Sequence, residues 1–245
     1  DARGLSRSRL LKLAREKDAG KLLADLGGTR APAKDALQLM ASHAVSRPIV
    51  VDVTSEETGD LLLMAARAGF DLVLANKKPL AVSWDHYARL MAASNGSGRH
   101  IRYEATVGAG LPIIDTFSKL VETGDRVVRI DGSVSGTLMF VLSEVSSGRP
   151  FSDAVRDAVT RGYAEPDPRE DLSGQDAARK GLILARLMGY HGPAPTPDDL
   201  VPPALKALPL DAFMEKLPTL DASWRERTAK EAEKGRVLRY VVSAT

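Results

Sequence analysis

The sequence predicts an α/β protein in which a parallel sheet covered by helices is followed by a second, α+β region. Two observations support this prediction. Strand-like and helix-like patterns alternate with short links up to about residue 105, which is typical of a parallel sheet. Beyond that point, helical patterns dominate and are accompanied by an alternating, half-buried strand pattern and a last strand-like run. We therefore divide the chain of 245 residues into a first domain at 1–105 and a second at 106–245.

Three short apolar runs in the first region predict strands, at 49–53, 72–75 and 100–104. Helical patterns follow the first two strands, at 57–68 with Gly69 as its stop and at 83–93 with Ser83 as its N-cap. Ligands bind at the carboxyl ends of the strands in such sheets. The polar residues at these ends are therefore candidate ligand contacts: Thr54, Ser55, Asn76, Lys77, Lys78 and Glu104.

The second region begins with a glycine-rich turn at 108–112, whose proline suits the first position of a helix. Residues 126–134 alternate as a half-buried strand, and the remaining patterns predict three helices, a loop, a surface excursion and a charged helix. In chain order these are helices at 137–145 and 152–161, the polar loop 162–171, a helix at 173–188, the proline-rich excursion 190–220 and the charged helix 221–234.

A last strand-like run, at 236–243, has no evident partner within the chain. An exposed apolar strand edge usually pairs with another chain or aggregates, so we expect a homodimer.

Composition and charge exclude several classes of function. The chain has no cysteine, which rules out disulfides, thiolate metal sites and a cysteine nucleophile, and its four histidines lack the spacing of metal ligands. With 34 Lys and Arg against 32 Asp and Glu, the net charge of +2 is too balanced for a protein that grips nucleic acid. No apolar run approaches the ~20 residues of a membrane span. We expect a cytoplasmic protein without nucleic-acid or membrane partners.

The densest group of polar residues lies at 162–180. Asp176 and Lys180 are four residues apart and therefore share one face of the predicted helix. A capping box of Ser173 and Asp176 with a surface ion pair would explain the pattern without any site. However, more acids crowd the entrance of the helix than capping requires, and a lysine held among carboxylates can bind a polar substrate and move a proton.

The other candidate segments also have a structural explanation of their own. The two lysines at 77–78 could lie in a solvated turn, and the glycines at 108–110 could simply form a turn before a helix. The segment at 135–137 could be a helix cap that also presents amide groups to a ligand.

Taken together and in this order, five segments resemble homoserine dehydrogenase. They are VDVTS at 51–55, ANKKPLA at 75–81, YEATVGAGLPII at 103–114, SGTL at 135–138 and GYAEPDPREDLSGQDAARK at 162–180. The last is highly specific. The resemblance implies an incomplete Rossmann-type nucleotide-binding domain plus an α+β substrate and dimerisation domain. It also implies that the protein interconverts L-homoserine and L-aspartate 4-semialdehyde with NAD or NADP, in threonine and methionine biosynthesis.

The resemblance also implies the residues of the site. The catalytic residues would be Lys180, Asp176 and Lys78. Substrate would be held by Glu165, Asp171, Asp176, Tyr163, Gly136, Thr137 and Lys78. The cofactor would contact Thr54, Ser55, Lys78 and Gly162. A monovalent cation, usually sodium, would bind at Glu104, Val107, Ala109 and Leu111. This assignment fits the chemistry, because hydride delivery to an aldehyde leaves a developing alkoxide that needs a positive charge and a proton nearby.

The sequence departs from the family in one respect. The glycine-rich dinucleotide loop that follows the family's first strand is missing, and so are the family's closing strands. We expect a chain shortened at both ends that lacks the first βα unit; the alternative is a cofactor-free homologue or fragment acting as a binding or scaffolding subunit. Three basic residues, Arg3, Arg7 and Arg9, fall near the expected adenosine ribose and favour NADP.

Overall fold

The structure is a computed structural model that describes residues 4–29, 31–43, 46–96 and 98–245. Its first part is built on a three-stranded parallel sheet in the order β1-β2-β3. Asp52 pairs with Leu74 between the first two strands, and Leu72 pairs with Ile101 between the second and third. The predicted parallel sheet is therefore confirmed. The strands are β1 (Ile49–Asp52), β2 (Asp71–Leu74) and β3 (Ile101–Arg102).

The described residues of this part form four α-helices: α1 (Arg7–Asp18), α2 (Ala33–Ala41), α3 (Gly59–Arg67) and α4 (Trp84–Gly96). Helix α3 buries its apolar face in the core beside the sheet and ends at Arg67; the chain then turns at Gly69, whose φ of +81° suits glycine. Helix α4 passes its predicted end at residue 93, because Gly98 rather than Gly96 adopts the left-handed conformation of the exit turn.

The second part is mostly helical. Its elements are α5 (Ile113–Glu122), β4 (Ile130–Gly132), α6 (Gly136–Ser146), α7 (Phe151–Thr160), α8 (Arg169–Leu172), α9 (Gln175–Leu187), α10 (Pro203–Lys206), α11 (Leu210–Lys216), α12 (Asp221–Ala232) and β5 (Val242–Ala244). Helices α6 and α7 contribute Val141, Phe151 and Val155 to its apolar core, and Trp224 of α12 stacks on Phe151 with ring centroids 5.0 Å apart. The predicted α+β character of this region is confirmed.

Only the first part of the segment 190–220 forms the predicted surface excursion: residues 190–199 are irregular and mostly exposed. Residues 203–220 instead fold into short helices, and Leu200, Val201, Phe213 and Leu217 are buried in the second core. The prolines misled the prediction because they lie where they are compatible with helices: Pro203 and Pro218 occupy first-turn positions, where a missing N–H costs nothing.

The two predicted strands of the second region are shorter than expected and pair with each other. Only Ile130–Gly132 of 126–134 is a strand, and it runs antiparallel to Val242–Ala244, with Ile130 opposite Ala244. The last strand therefore has a partner within the chain, and the premise of an unpartnered strand was wrong. The homodimer stays a prediction.

The start of α9 also differs from the prediction. Gly174, with a φ of +70°, is the N-cap, and the hydroxyl of Ser173 accepts a hydrogen bond from the Gln175 amide and donates one to the Glu170 carbonyl. A side chain at position 174 would collide with the Tyr240 hydroxyl, so the position requires glycine. Ser173 and Asp176 form no capping box, and the Asp176 carboxylate instead pairs with lysines.

Within the described ranges, no helix is both long enough and apolar enough to cross a membrane.

Candidate active site

A network of buried polar groups joins the carboxyl ends of β1 and β2. Asp52, the last residue of β1, is 4% exposed and lies at its centre. One carboxylate oxygen accepts hydrogen bonds from the Thr54 amide at 3.0 Å and the Thr54 hydroxyl at 2.8 Å. The other accepts from the Thr58 hydroxyl and, at 3.0 Å, from the Asn76 side-chain amide. Four donors thus converge on one carboxylate at the edge of the sheet where ligands bind.

These bonds decide the ionisation of Asp52. Burial alone would raise the pKa of the carboxyl group, but the hydrogen bonds from Thr58, Thr54 and Asn76 outweigh it and hold the pKa below its ordinary value. The group is therefore a fixed negative charge at neutral pH.

Asn76 extends the network into the turn that follows β2. Its amide nitrogen also donates to the Glu56 carbonyl at 2.8 Å, and its amide oxygen accepts from the Lys78 backbone amide at 3.1 Å. Sequence reasoning placed Asn76 among the candidate ligand contacts at the strand ends, but it did not predict the network and did not single out Asp52. A polar residue at the end of an otherwise apolar strand was the available signal. The network immobilises Thr54, a predicted nicotinamide contact, and the exposed Ser55 follows it in the same loop.

Two lysines meet one carboxylate between the two parts of the molecule. Asp176 lies in the first turn of α9, with one oxygen 3.2 Å from Lys77 Nζ and the other 2.8 Å from Lys180 Nζ. Lys180 Nζ also donates to the Val134 carbonyl at 2.7 Å, and its side chain is only 18% exposed. Burial would raise the pKa of Asp176, but the two ammonium groups hold it below its usual range.

Lys77, rather than Lys78, faces Asp176. Lys78 Nζ lies 3.4 Å from the Glu57 carboxylate, on the side of the loop that precedes α3. Adjacent residues in a turn point in different directions, so the sequence signal of two successive lysines could not distinguish them. The contacts thus place Lys78 towards the Thr54 side and Lys77 towards α9.

The predicted substrate residues gather beside this cluster. Thr137, in the first turn of α6, donates its hydroxyl to the Tyr163 carbonyl and lies 3.4 Å from one Asp171 carboxylate oxygen. The other Asp171 oxygen accepts from the Glu165 amide at 3.1 Å. Gly136 begins α6, so it and Thr137 present free helical N–H groups at that end.

Asp171 has an ionisation unlike that of Asp52. Burial raises the pKa of its carboxyl group, the Glu165 amide and Thr137 hydroxyl oppose this, and repulsion from Glu165 and Asp176 adds to the rise. A cationic ligand would reverse the effect, because it would favour the charged carboxylate. Glu165 itself is exposed and able to meet such a ligand.

Two other predicted residues lie at the margins of this group. Gly162 has a φ of +70° and ends α7, leading the chain into Tyr163. Tyr163 is 52% exposed, and its ring makes an edge contact with Phe140 at a centroid distance of 5.0 Å.

The predicted cation-binding residues lie in the turn between β3 and α5. Both carboxylate oxygens of Glu104 accept backbone hydrogen bonds from the first turn of α5, from Ile114 at 2.8 Å and from Asp115 at 2.9 Å. The Glu104 side chain thus caps the helix. Ala109, with a φ of +53°, is the only non-glycine with positive φ among the described residues. The strained turn leaves its backbone carbonyls as the candidate ligands.

Comparisons with known proteins agree with this geometry. A family model described as "Homoserine dehydrogenase, NAD binding domain" matches residues 4–104, and one described as "Homoserine dehydrogenase" matches residues 112–245.

Individual relatives give the same result. The bifunctional aspartokinase/homoserine dehydrogenase 1 of Zea mays, described as chloroplastic, is 43% identical over 209 residues, which cover 83% of this chain and 22% of the relative. The homoserine dehydrogenase of Paracoccidioides brasiliensis is 35% identical over 220 residues, which cover 84% of this chain and 59% of the relative. A solved structure of a hyperthermophilic archaeal homoserine dehydrogenase in complex with NADPH matches with a TM-score of 0.65 and 29% identity. The match covers 76% of this chain and 56% of the archaeal chain. The chain thus spans less than two thirds of each of these three proteins.

Proposed function

The chain belongs to the homoserine dehydrogenase family, and we propose that the protein interconverts L-homoserine and L-aspartate 4-semialdehyde with NAD or NADP. Its first part has the Rossmann-like fold of the NAD-binding domain of the family, and its second part is the catalytic domain. One observation carries the proposal: two ammonium groups, Lys77 and Lys180, meet Asp176 next to the carboxyl ends of a parallel sheet.

Lys180 is our proposed proton donor. A lysine ammonium has three N–H groups. The Val134 carbonyl and the Asp176 carboxylate occupy two of them, which leaves the third for a substrate oxygen. A nicotinamide, when bound, supplies the hydride that reduces the aldehyde carbon. Lys180 then gives its proton to the developing alkoxide and takes one back in the reverse direction.

The substrate's two charged groups also find partners of opposite sign. We assign its α-ammonium to Glu165, in the loop after α7, and to Asp171 of α8, which accepts a hydrogen bond from the Glu165 amide. The sequence predicted Lys78 as the lysine that holds the substrate; we assign the α-carboxylate instead to Lys77, which faces Asp176, and to the first-turn amides of α6 at Gly136 and Thr137. Tyr163 lines the same pocket.

The residues on the Thr54 side suit the nicotinamide half of a dinucleotide. The network around Asp52 holds Thr54 rigid, and we assign Thr54, Ser55, Lys78 and Gly162 to contacts with the cofactor. We favour NADP, because Arg7 and Arg9 are exposed in the first turn of α1; Arg3, the third predicted contact, lies outside the described residues.

Sodium binding, dimerisation and location complete the proposal. We propose that a sodium ion binds the backbone of Glu104, Val107, Ala109 and Leu111, because hard cations favour carbonyl oxygens. We propose a homodimer, supported by the exposed apolar side chains of Leu120 and Val121 on α5, of which Leu120 lines a surface cavity together with Ile130 of β4. We propose a cytoplasmic location, with the plastid as the alternative given by the chloroplastic relatives.

The decisive experiment is a titration of the protein with NADPH and with NADH, followed by the fluorescence of the nicotinamide. We expect a saturable change, with the lower Kd for NADPH, and consumption of NADPH when aspartate 4-semialdehyde is added. The alternative function is a scaffolding subunit that binds no cofactor. An unchanged nicotinamide fluorescence together with an intact fold would support that function instead.

A further inference from the structure

Arg186, near the end of α9, is a buried cation with unusual partners. Its side chain is 4% exposed, and its two terminal nitrogens donate to backbone carbonyls, Nη1 to Leu80 and Nη2 to Val82 at 2.5 Å. The guanidinium carbon lies 4.5 Å from the centre of the Tyr87 ring. In the described part of the chain, no carboxylate forms an ion pair with it, and its Nε has no hydrogen-bond partner.

Burying a charge without a counter-charge is costly, and burial lowers the pKa of this guanidinium. A methionine of similar length could fill the same space without that cost. What only arginine supplies is a planar fork that reaches two carbonyls in a fixed direction. The contribution of this side chain is therefore geometric.

The two carbonyls belong to the segment that carries the active-site lysines. Leu80 and Val82 follow Lys77 by three and five residues. Helix α9 thus holds this segment at two points, through Asp176 at its first turn and through Arg186 ten residues later. At 1.5 Å per residue, these points are about 15 Å apart along the helix axis. Two separated attachments fix an orientation, whereas one flexible lysine–carboxylate pair does not.

We propose that Arg186 is a positioning residue, which holds the 77–82 segment against α9 so that Lys77 meets Asp176 in a single geometry. The expected effect of Arg186 on turnover rests on the proposed function, whereas its effect on the geometry of Lys77 does not.

The test compares Arg186→Met and Arg186→Lys with a matched control, Arg156→Met. Arg156 also donates to a backbone carbonyl, that of Met214 at 2.8 Å, but on α7 in the second core. Each protein is acylated with trace acetic anhydride, and mass spectrometry gives the acylation rate of Lys77 relative to Lys230 on α12. Melting temperatures, kcat and KM are measured on the same samples.

We expect Arg186→Met to raise the relative acylation rate of Lys77 several-fold, because a lysine no longer held on Asp176 is more accessible to the reagent. Where turnover is measurable, kcat should fall by up to about 10²-fold. KM should change less. Arg186→Lys, which can reach one carbonyl, should give intermediate values. Arg156→Met should leave Lys77 unchanged at a similar loss of Tm.

Equal acylation of Lys77 in Arg186→Met and the parent protein would overturn the proposal. So would an equal rise in Arg156→Met, because that would point to general loosening of the fold. If Arg186→Met does not fold, Arg186→Lys decides by the same measurement. A parent protein without dehydrogenase activity would refute the proposed function, while the acylation rates would still judge the role of Arg186.

Discussion

Replacing Lys180 with alanine would separate a catalytic role from a structural one. Its ammonium lies 2.8 Å from Asp176 and 2.7 Å from the Val134 carbonyl. Loss of a positioned proton donor lowers a rate by about 10²–10⁴-fold, which is roughly 2.7–5.5 kcal/mol at 1.36 kcal/mol per tenfold change. An i,i+4 ion pair that is only structural contributes about 0.3–0.5 kcal/mol and does not affect the rate. The catalytic role therefore predicts a rise of several kcal/mol in the activation free energy, whereas the structural role predicts no change in it and only a small loss of stability.

The assay is NADPH oxidation with aspartate 4-semialdehyde, and the control is Lys119→Ala. Lys119 forms the same kind of i,i+4 ion pair, with Asp115 at 2.5 Å, on the exposed helix α5. We expect a large fall in kcat for Lys180→Ala and none for Lys119→Ala. The KM for the semialdehyde should change less, because Glu165 and Asp171 would still hold its ammonium.

Two further observations would refine the result. Lys180→Arg keeps the positive charge, but a guanidinium stays protonated and cannot serve as a proton donor near neutral pH, so this variant should restore little activity if proton transfer is what matters. In Lys180→Ala, Asp176 loses its principal cation while its burial remains, so the pKa of its carboxyl group should rise and the acidic limb of the pH–rate profile should move to higher pH. A Lys180→Ala enzyme with near-parental kcat would refute the proposed role and leave Lys180 as a structural partner of Asp176.

Four other predictions can be tested alongside. Asp52→Asn should lose roughly 1.5–3 kcal/mol of unfolding free energy at neutral pH, the scale of hydrogen bonds to a charged group. Because the folded-state pKa of Asp52 is lowered, that stabilisation is present above its unfolded pKa of about 3.9 and is lost as the pH falls through the folded value, so urea unfolding of parent and variant should converge in acid. Glu165→Gln should raise KM for the semialdehyde more than it lowers kcat, since the contact of Glu165 with the substrate ammonium forms before chemistry begins. Steady-state kinetics in which kcat falls more than KM rises would count against the assignment. Replacing sodium with tetramethylammonium in the assay buffer should reduce activity if the turn at Ala109 holds a functional cation, and equal rates in both buffers would dismiss it. Light scattering should give the mass of a dimer, and a monodisperse monomer would contradict the proposed assembly.

The strands of the first part could be predicted from sequence because short apolar runs bounded by polar residues have few alternative structures. The ends of the helices were less predictable. Asn95 and Gly96 form a typical helix-exit signal, yet the chain places the left-handed residue at Gly98, two positions later. Several neighbouring residues could equally well end the helix, and the packing of the folded chain decides which of them does.

The segment 190–220 shows a different limit of sequence reasoning. Its prolines suggested a loop, but prolines at the start of short helices are compatible with burial. The apolar residues Phe213 and Leu217, four apart, were the better signal, because that spacing puts both on one helical face. Composition averaged over the segment concealed this spacing.

The candidate site was predictable in its residue types and less so in its geometry. The sequence pointed to Asp176, Lys180 and a pair of lysines after β2, but not to which of that pair faces Asp176. Asn76 contributes to that choice: its amide group donates to Asp52, and its oxygen accepts from the Lys78 backbone amide, which fixes the start of the turn.

The end of the same segment is fixed by Arg186 through the carbonyls of Leu80 and Val82. Asn76 and Arg186 are 110 positions apart in the sequence, and neither needs to touch the substrate to act. The direction of Lys77 therefore depends on two long-range contacts made by side chains with no reacting atom. A pattern of residues can predict which groups take part in a reaction, but long-range contacts of this kind set their distances and directions, and these appear only when the chain is folded.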